Sequence, residues 1–91
     1  MRTIYRYELM LEDEQEVTIP FCHQILSVAK HREHSSRLEL WAIVETDTPT
    51  TTKKISIRGT GHPMRCNEGL FLGTVQTHDG MFVWHVFETI T

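Results

Sequence analysis

The sequence predicts an all-β protein, a small antiparallel β-sandwich or partly open barrel of about six to seven strands. Apolar segments alternate with polar residues or are rich in β-branched and aromatic residues, which is typical of strands. No window keeps apolar residues at the helical period for the ~10 residues that a helix needs. With 91 residues, we expect a single domain, residues 1–91, near the lower size limit for a self-sufficient core.

The N-terminal third contains two strand candidates separated by an acidic segment. Residues Thr3 to Leu9 alternate between polar and apolar or aromatic side chains, which predicts a first strand. The acidic segment from Leu11 to Glu16 breaks this pattern, so we expect a solvated turn there. Val17 to Ile19 is a short strand candidate, and Pro20 ends it.

The middle of the chain predicts an antiparallel pair. Gln24 to His31 and Arg37 to Glu45 are strand candidates, and the residues between them, Arg32 to Ser36, have turn chemistry. The second strand is apolar at its centre on both faces. A loop around Pro49 then leads to a strand from Lys53 to Arg58. In that strand the isoleucines are expected to point inward and Lys54, Ser56 and Arg58 outward.

The last strands form the clearest element, because Asp79-Gly80 lies between the apolar runs Leu70 to Val75 and Met81 to Phe87. An Asp-Gly pair favours a type I′ hairpin turn, which needs positive φ at both central residues. A two-residue turn then fixes the register. The predicted cross-strand pairs are Leu72–Phe87, Gly73–Val86, Thr74–His85, Val75–Trp84, Gln76–Val83 and Thr77–Phe82.

Composition excludes several classes of function. Nine Lys and Arg against twelve Asp and Glu give a net charge of -3, which argues against a phosphate-neutralising surface for long nucleic acids. Cys22 and Cys66 lack the paired spacing of a zinc site, and they are too few for a disulfide framework. With no leader and no apolar run of ~20 residues, we expect a cytoplasmic protein that has no membrane segment.

Gly59-Thr60-Gly61-His62 is the most specific local motif. Two glycines one residue apart let successive backbone N–H groups converge on an anion. Arg58 and Arg65 are near in sequence, and Trp41 or Trp84 is available to stack on a base. The motif therefore predicts a ligand site for a phosphate or nucleotide, although a tight turn explains the same residues.

Catalytic signals are weak, and we expect neither enzyme activity, a cofactor nor a metal. The six histidines show no metal-ligand spacing on a predicted helix. His62 and Cys66 are separated by Pro63 and have no evident orienting carboxylate. His85 lies in the middle of a predicted strand opposite Thr74, where a hydrogen-bonded structural histidine is expected.

Four stretches together resemble an uncharacterised family of short proteins, about 90 residues long, encoded by tailed phages. They are Met1 to Leu9, Leu40 to Val44, Gly59 to Pro63, and Gly73 to Gln76 with Phe82 to Phe87. Small phage proteins of this kind commonly act by binding. The resemblance therefore implies a non-enzymatic inhibitor of host defence or host metabolism in the host cell cytoplasm, which acts by stoichiometric binding of a host protein or immune complex.

The resemblance and the residues leave three hypotheses for function. The first is a protein-blocking surface that uses the acidic residues Glu12, Asp13, Glu14 and Glu16. The second is a sponge that sequesters a nucleotide immune signal at an oligomer interface, with the Gly59 to His62 turn as the site. The third is a minor virion or assembly protein. Strands that are apolar on both faces also predict a homodimer or higher homo-oligomer.

Overall fold

The computed structural model describes residues 1–64 and 69–89 and confirms the all-β prediction. Seven strands form two antiparallel sheets that pack as a small sandwich. The strands are β1 (Arg2–Met10), β2 (Glu14–Ile19), β3 (Phe21–Lys30), β4 (Arg37–Glu45), β5 (Thr51–Gly59), β6 (Leu70–Thr77) and β7 (Phe82–Glu88). Within the described ranges there is no helix long and apolar enough to cross a membrane.

Each sheet is built around a strand that the sequence marks as apolar on both faces. The three-stranded sheet has the order β1-β4-β3, and the four-stranded sheet has the order β2-β5-β7-β6. β4 is therefore the interior strand of the first sheet, and β5 and β7 are the interior strands of the second. The inner faces of the two sheets supply a common core of Leu9, Ile19, Leu38, Leu40, Ala42, Val44, Ile55, Ile57, Val75 and Val86.

The final hairpin has the predicted register over most of its length. Asp79 and Gly80 have φ of 56° and 84°, and the Met81 N–H donates to the His78 carbonyl over 3.1 Å. The predicted pairs hold from Thr77–Phe82 to Gly73–Val86. The Leu72–Phe87 pair is wrong, because an irregularity between Phe71 and Gly73 places Phe71 opposite Phe87. A bulge inserts one extra residue into one strand, so the pairing of every residue beyond it is shifted by one position.

The sequence predicted a solvated turn for the acidic segment from Leu11 to Glu16, and this prediction is wrong for its second half. Glu14, Gln15 and Glu16 belong to β2 and pair with β5. Gln15 and Val17 are half-buried and Ile19 is buried, whereas the two glutamates face solvent. The alternation that is typical of a half-buried strand therefore starts at Glu14, and the two glutamates lie on the solvent-exposed face of the sheet.

The two sheets meet differently at the two sides of the sandwich. On one side β3 lies against β6, so closely that a Cβ added to Gly73 would be 2.7 Å from Val28 Cγ2. On the other side β1 lies above β2, and the Gln15 amide joins them. This amide accepts a hydrogen bond from the Met10 N–H over 2.9 Å and donates to the Met10 carbonyl over 2.7 Å.

Candidate functional site

The predicted ligand turn is a tight turn at the end of β5. Gly61 has φ of 90°, which requires glycine, whereas a Cβ on Gly59 would lie 2.8 Å from the ring of His62. Three backbone amides of the turn have partners within the chain. The Gly59 N–H donates to His62 Nδ1 over 3.2 Å, the Thr60 N–H to the Val83 carbonyl and the His62 N–H to the Gly59 carbonyl. An anion would have to compete with these bonds.

Arg58 joins this turn to the acidic segment. It lies on the outer face of the four-stranded sheet, as predicted, yet it is only 6% exposed. Its guanidinium donates to the Asp13 and Ile57 carbonyls and lies 3.4 Å from the Glu14 carboxylate. The Asp13 carbonyl also accepts a hydrogen bond from the Ile57 N–H. A buried guanidinium is stable here because backbone and carboxylate oxygens replace its water.

The two predicted sites therefore adjoin each other. A cleft of about 240 Å³ is lined by Asp13, Arg58, His62, Pro63 and Met64. It combines one cation, one histidine and one carboxylate, so its electrostatic character is mixed. Arg65, the second predicted cation, lies outside the described residues.

The two tryptophans occupy different parts of the molecule. Trp84 lies beside the turn, with its ring centroid 6.3 Å from that of His62, and its indole N–H donates to Thr77 Oγ1 over 2.8 Å. Trp41 lies on the outer face of the three-stranded sheet, opposite Arg6 and Ser27. The fold therefore brings Trp84, and not Trp41, to the predicted ligand site.

The acidic residues Glu12, Asp13, Glu14 and Glu16 all have exposed side chains. Two of these four residues have a cation of β5 as a neighbour. Glu14 contacts Arg58, and Glu16 is paired with Lys54. The predicted partner surface is thus accessible, with its negative charge concentrated at Glu12 and Asp13.

His85 has hydrogen bonds at both ring nitrogens. Thr60 Oγ1 lies 2.9 Å from Nε2, and Thr74 Oγ1 lies 3.1 Å from Nδ1. The half-buried ring therefore connects the β5 turn to the final hairpin. Among the described residues, no group of three or more His, Cys, Asp or Glu side chains is placed to hold a metal ion.

Sequence reasoning missed a charged network on the outer face of the three-stranded sheet. Glu39 of β4 is only 2% exposed. Its carboxylate accepts hydrogen bonds from Arg32 Nε over 2.9 Å and from Arg6 Nη1 over 3.3 Å. The hydrogen bond from Arg32 lowers the pKa of Glu39 below its usual range. Glu8 extends the network, bonding His31 and Arg37.

A second network lies at the other end of this face. Glu45 is bonded by His23 Nε2 over 2.9 Å and by Arg2 Nε over 3.1 Å, and the pKa of Glu45 is lowered by these two hydrogen bonds. The glutamates of β4 were visible in the sequence. Their partners depend on the β1–β4 register, which no local pattern fixes.

Apolar residues lie between the two networks and beside the second one. Ile4 is paired with Ile43, and Trp41 follows on the same face of β4, while Phe21 of β3 is paired with Glu45. Ile4 and Phe21 are 55% and 53% exposed. We call these four residues the outer strip. An apolar strip on the solvent side of a sheet, with charged groups at both ends, is typical of an interaction surface.

Comparison with known proteins places the chain in a family and gives no activity. The family is described as a domain of unknown function, DUF7352, and it matches residues 1–91, so the chain belongs to it. No curated protein and no solved structure matches the chain.

Proposed function

We propose that this protein is a non-enzymatic binding protein, a small phage-encoded inhibitor of host defence or host metabolism. It acts in the host cell cytoplasm by stoichiometric binding of a host protein complex. The observation that carries the proposal is the outer strip, since Ile4 and Phe21 are more than half exposed and the strip has an arginine–glutamate network at each end. Apolar centres with charged rims are where binding energy concentrates in protein interfaces.

The strip has the features that a stable contact needs. Trp41 and Ile43 are half-buried on a rigid interior strand, so binding costs little additional ordering. Arg2, Arg6 and Arg32 surround the strip with glutamates already paired to them. These groups offer directional contacts at the rim, where charge selects the partner more than it adds affinity.

The direct test is capture of a partner from host lysate with tagged protein, followed by titration calorimetry with the purified partner. Ile4→Glu is expected to weaken binding by at least about tenfold, equivalent to 1.4 kcal/mol. The matched control is Phe71→Glu, which changes a residue of similar exposure, 59%, in the four-stranded sheet. Equal loss of binding in both variants, or none in Ile4→Glu, would remove the outer strip from the proposal.

The acidic residues offer a different binding surface for the same proposed function. Glu12, Asp13 and Glu16 can be changed together to lysine, with Glu14 retained because it contacts Arg58. If the partner is held by an acidic mimic of nucleic acid, this variant loses binding and the wild-type affinity falls steeply with salt. Unchanged capture eliminates the acidic version and leaves the outer strip.

The cleft at Arg58 and His62 favours a second candidate function, sequestration of a nucleotide signal. One cation and one imidazole line the same cleft, with Trp84 beside His62. Calorimetry against a panel of linear and cyclic nucleotides tests it, with His62→Ala as the variant and His34→Ala, an exposed histidine of the β3–β4 turn, as the control. Arg58→Ala is unsuitable because Arg58 is buried and holds the Asp13 backbone.

A nucleotide sponge predicts saturable heat that His62→Ala reduces and His34→Ala preserves. No heat with any nucleotide, or equal binding by both variants, contradicts it. A minor virion or assembly role predicts instead that the protein copurifies with particles.

A further inference from the structure

β1 is a long edge strand whose free side has no neighbouring strand among residues 1–64 and 69–89. It spans nine residues and pairs only with β4, without a register shift. A regular, unpaired edge presents a row of backbone donors and acceptors that another strand can match.

Three hydrogen bonds show which residues of β1 face this edge. The Thr46 N–H donates to the Met1 carbonyl over 2.9 Å, so the odd-numbered residues direct their backbone groups toward β4. Met10 directs both its N–H and its carbonyl to the Gln15 side chain. By the alternation of a strand, Arg2, Ile4, Arg6 and Glu8 direct their backbone groups to the free edge.

The other edges are less suited to pairing. β3 has register shifts between Cys22 and Gln24 and between Ile25 and Ser27, and β6 has one between Phe71 and Gly73. Bulges of this kind protect an edge. β2 is regular but has six residues, and its outward glutamates would repel those of a second β2.

We propose that a second copy of this chain pairs antiparallel with β1 across a two-fold axis at Tyr5. The two three-stranded sheets then form one continuous sheet. In this register Arg2 meets Glu8 of the second copy, Ile4 meets Arg6, and Thr3 meets Tyr7, while the two Tyr5 side chains meet on the axis. All four edge-facing residues of each copy pair, and the pairing stops before Met10, whose backbone Gln15 occupies.

Charge selects this register from its neighbours. Pairing must join even-numbered residues, because only these face the edge. A shift in one direction places Arg2 against Arg6 of the second copy. A shift in the other places Arg6 against Arg6 and brings Arg2 to the occupied Met10. Opposite charges directly across a strand pair stabilise it and like charges destabilise it, each by roughly 0.2–1 kcal/mol.

This pairing also joins the two outer strips, because Ile4 lies on the outer face at the new junction. It does not depend on any host protein, so its failure would leave the proposed function standing. A partner strand from another protein would use the same edge, and the experiments below separate the two cases.

The first experiment measures molar mass by light scattering or sedimentation over a dilution series. The wild-type protein is expected to give twice its chain mass of 10.6 kDa. Ile4→Pro removes an edge-facing N–H without removing a bond to β4, and proline is tolerated there, so this variant is expected to be monomeric and folded by circular dichroism. Ile4→Ala keeps the N–H and is expected to remain dimeric.

The second experiment locates the axis by crosslinking in a Cys22→Ser/Cys66→Ser background. Tyr5→Cys is expected to form a disulfide with itself, because residues facing each other outside the hydrogen-bonded pairs have Cα atoms about 4.5 Å apart. Thr3→Cys is the matched control on the same face. Its two copies would be roughly 13 Å apart along the strands, so it links to Tyr7→Cys in a mixture and not to itself.

A monomer at every concentration overturns the proposal and leaves the edge to strands of other proteins. So does a dimer that survives Ile4→Pro, or a Thr3→Cys variant that links to itself as readily as Tyr5→Cys. If Ile4→Pro fails to fold, the crosslinking pair decides alone.

Discussion

The two sides of this sandwich solve the problem of exposed sheet edges in different ways. On the closed side, β3 packs against β6 and Gly73 leaves room for Val28. On the open side, β1 and β2 are joined by one amide side chain, Gln15, at the Met10 end. The closed side uses backbone irregularities and close packing, whereas the open side keeps a regular edge that carries Arg2, Arg6 and Glu8.

On the open side, exposed apolar surface lies beside an edge strand, β1, that has no register shift. The free edge belongs to the same sheet as the outer strip, and Ile4 belongs to both. On the closed side the edge strands β3 and β6 also carry exposed apolar residues, such as Phe21 and Phe71, but register shifts interrupt these two edges. Because the free edge and the outer strip adjoin at Ile4, we place both the self-pairing and the partner surface on the three-stranded sheet.

The largest expected effect is on amide hydrogen exchange along β1. The Tyr5 and Tyr7 amides pair with β4, so they exchange only through openings that approach the free energy of global unfolding, about 5–15 kcal/mol for a typical protein. The Ile4 and Arg6 amides face the edge and are protected only when it is paired. Their exchange rates are therefore expected to rise on dilution, while those of Tyr5 and Tyr7 do not.

The contact between β3 and β6 is tested by Gly73→Ala. The added Cβ would lie 2.7 Å from Val28 Cγ2, and a β-branched side chain has little freedom to move away. Overpacking of this kind is expected to lower the free energy of unfolding by about 1–3 kcal/mol, measured by urea denaturation.

A double mutant distinguishes this contact from a general effect of replacing glycine. Val28→Ala removes the clashing methyl group, so Gly73→Ala is expected to cost less in the Val28→Ala background than in the wild type. Equal costs in the two backgrounds would show that the Gly73–Val28 contact does not close this side.

A smaller effect is expected at the open side from Gln15→Ala. The change removes two hydrogen bonds to Met10, which lie at the surface, so the expected loss is about 1 kcal/mol. Gln15→Glu keeps the acceptor for the Met10 N–H and loses the donor to its carbonyl, so its stability should be intermediate at neutral pH. A Gln15→Ala variant as stable as the wild type would contradict the role of this amide.

The smallest effect is expected from the Glu39 network, because the side chains of Arg6 and Arg32 are 42% and 59% exposed, so water screens much of their attraction to the buried carboxylate. The pKa of Glu39 is lowered in the folded state, so its contribution is present above the ordinary glutamate pKa of about 4.3 and is lost as pH falls below it. The wild type should therefore lose more stability than Glu39→Gln between about pH 5 and pH 3. Parallel pH profiles of the melting temperature would contradict this.

The sequence predicted the elements whose signals are local. β4 begins and ends at the predicted residues, and Asp79-Gly80 fixed the hairpin register as far as the irregularity at Phe71. The start of β2 was missed because three glutamates and one aspartate hid a short alternation from Glu14 to Ile19. The irregularity lies directly before Gly73, and a glycine inside a strand is a bulge signal that the predicted register did not take into account.

The candidate site was only partly predictable. The positive φ of Gly61 and the hydrogen bonds of His85 follow from local sequence and from the hairpin register. The burial of Arg58 does not, because it depends on the Asp13 carbonyl, 45 residues away. Trp41 was grouped with Trp84 by residue type alone, and the fold places them in different sheets.

The sequence by itself determined that this is an all-β chain, that β4 is apolar on both faces, and where the final hairpin turns, because periodicity and turn chemistry act over a few residues. The tertiary structure decided which edge is open, how Glu39 and Arg58 are satisfied, and that the outer strip lies beside the free edge of β1. Those properties depend on pairing between distant strands, and pairing is set by the packing of the whole core.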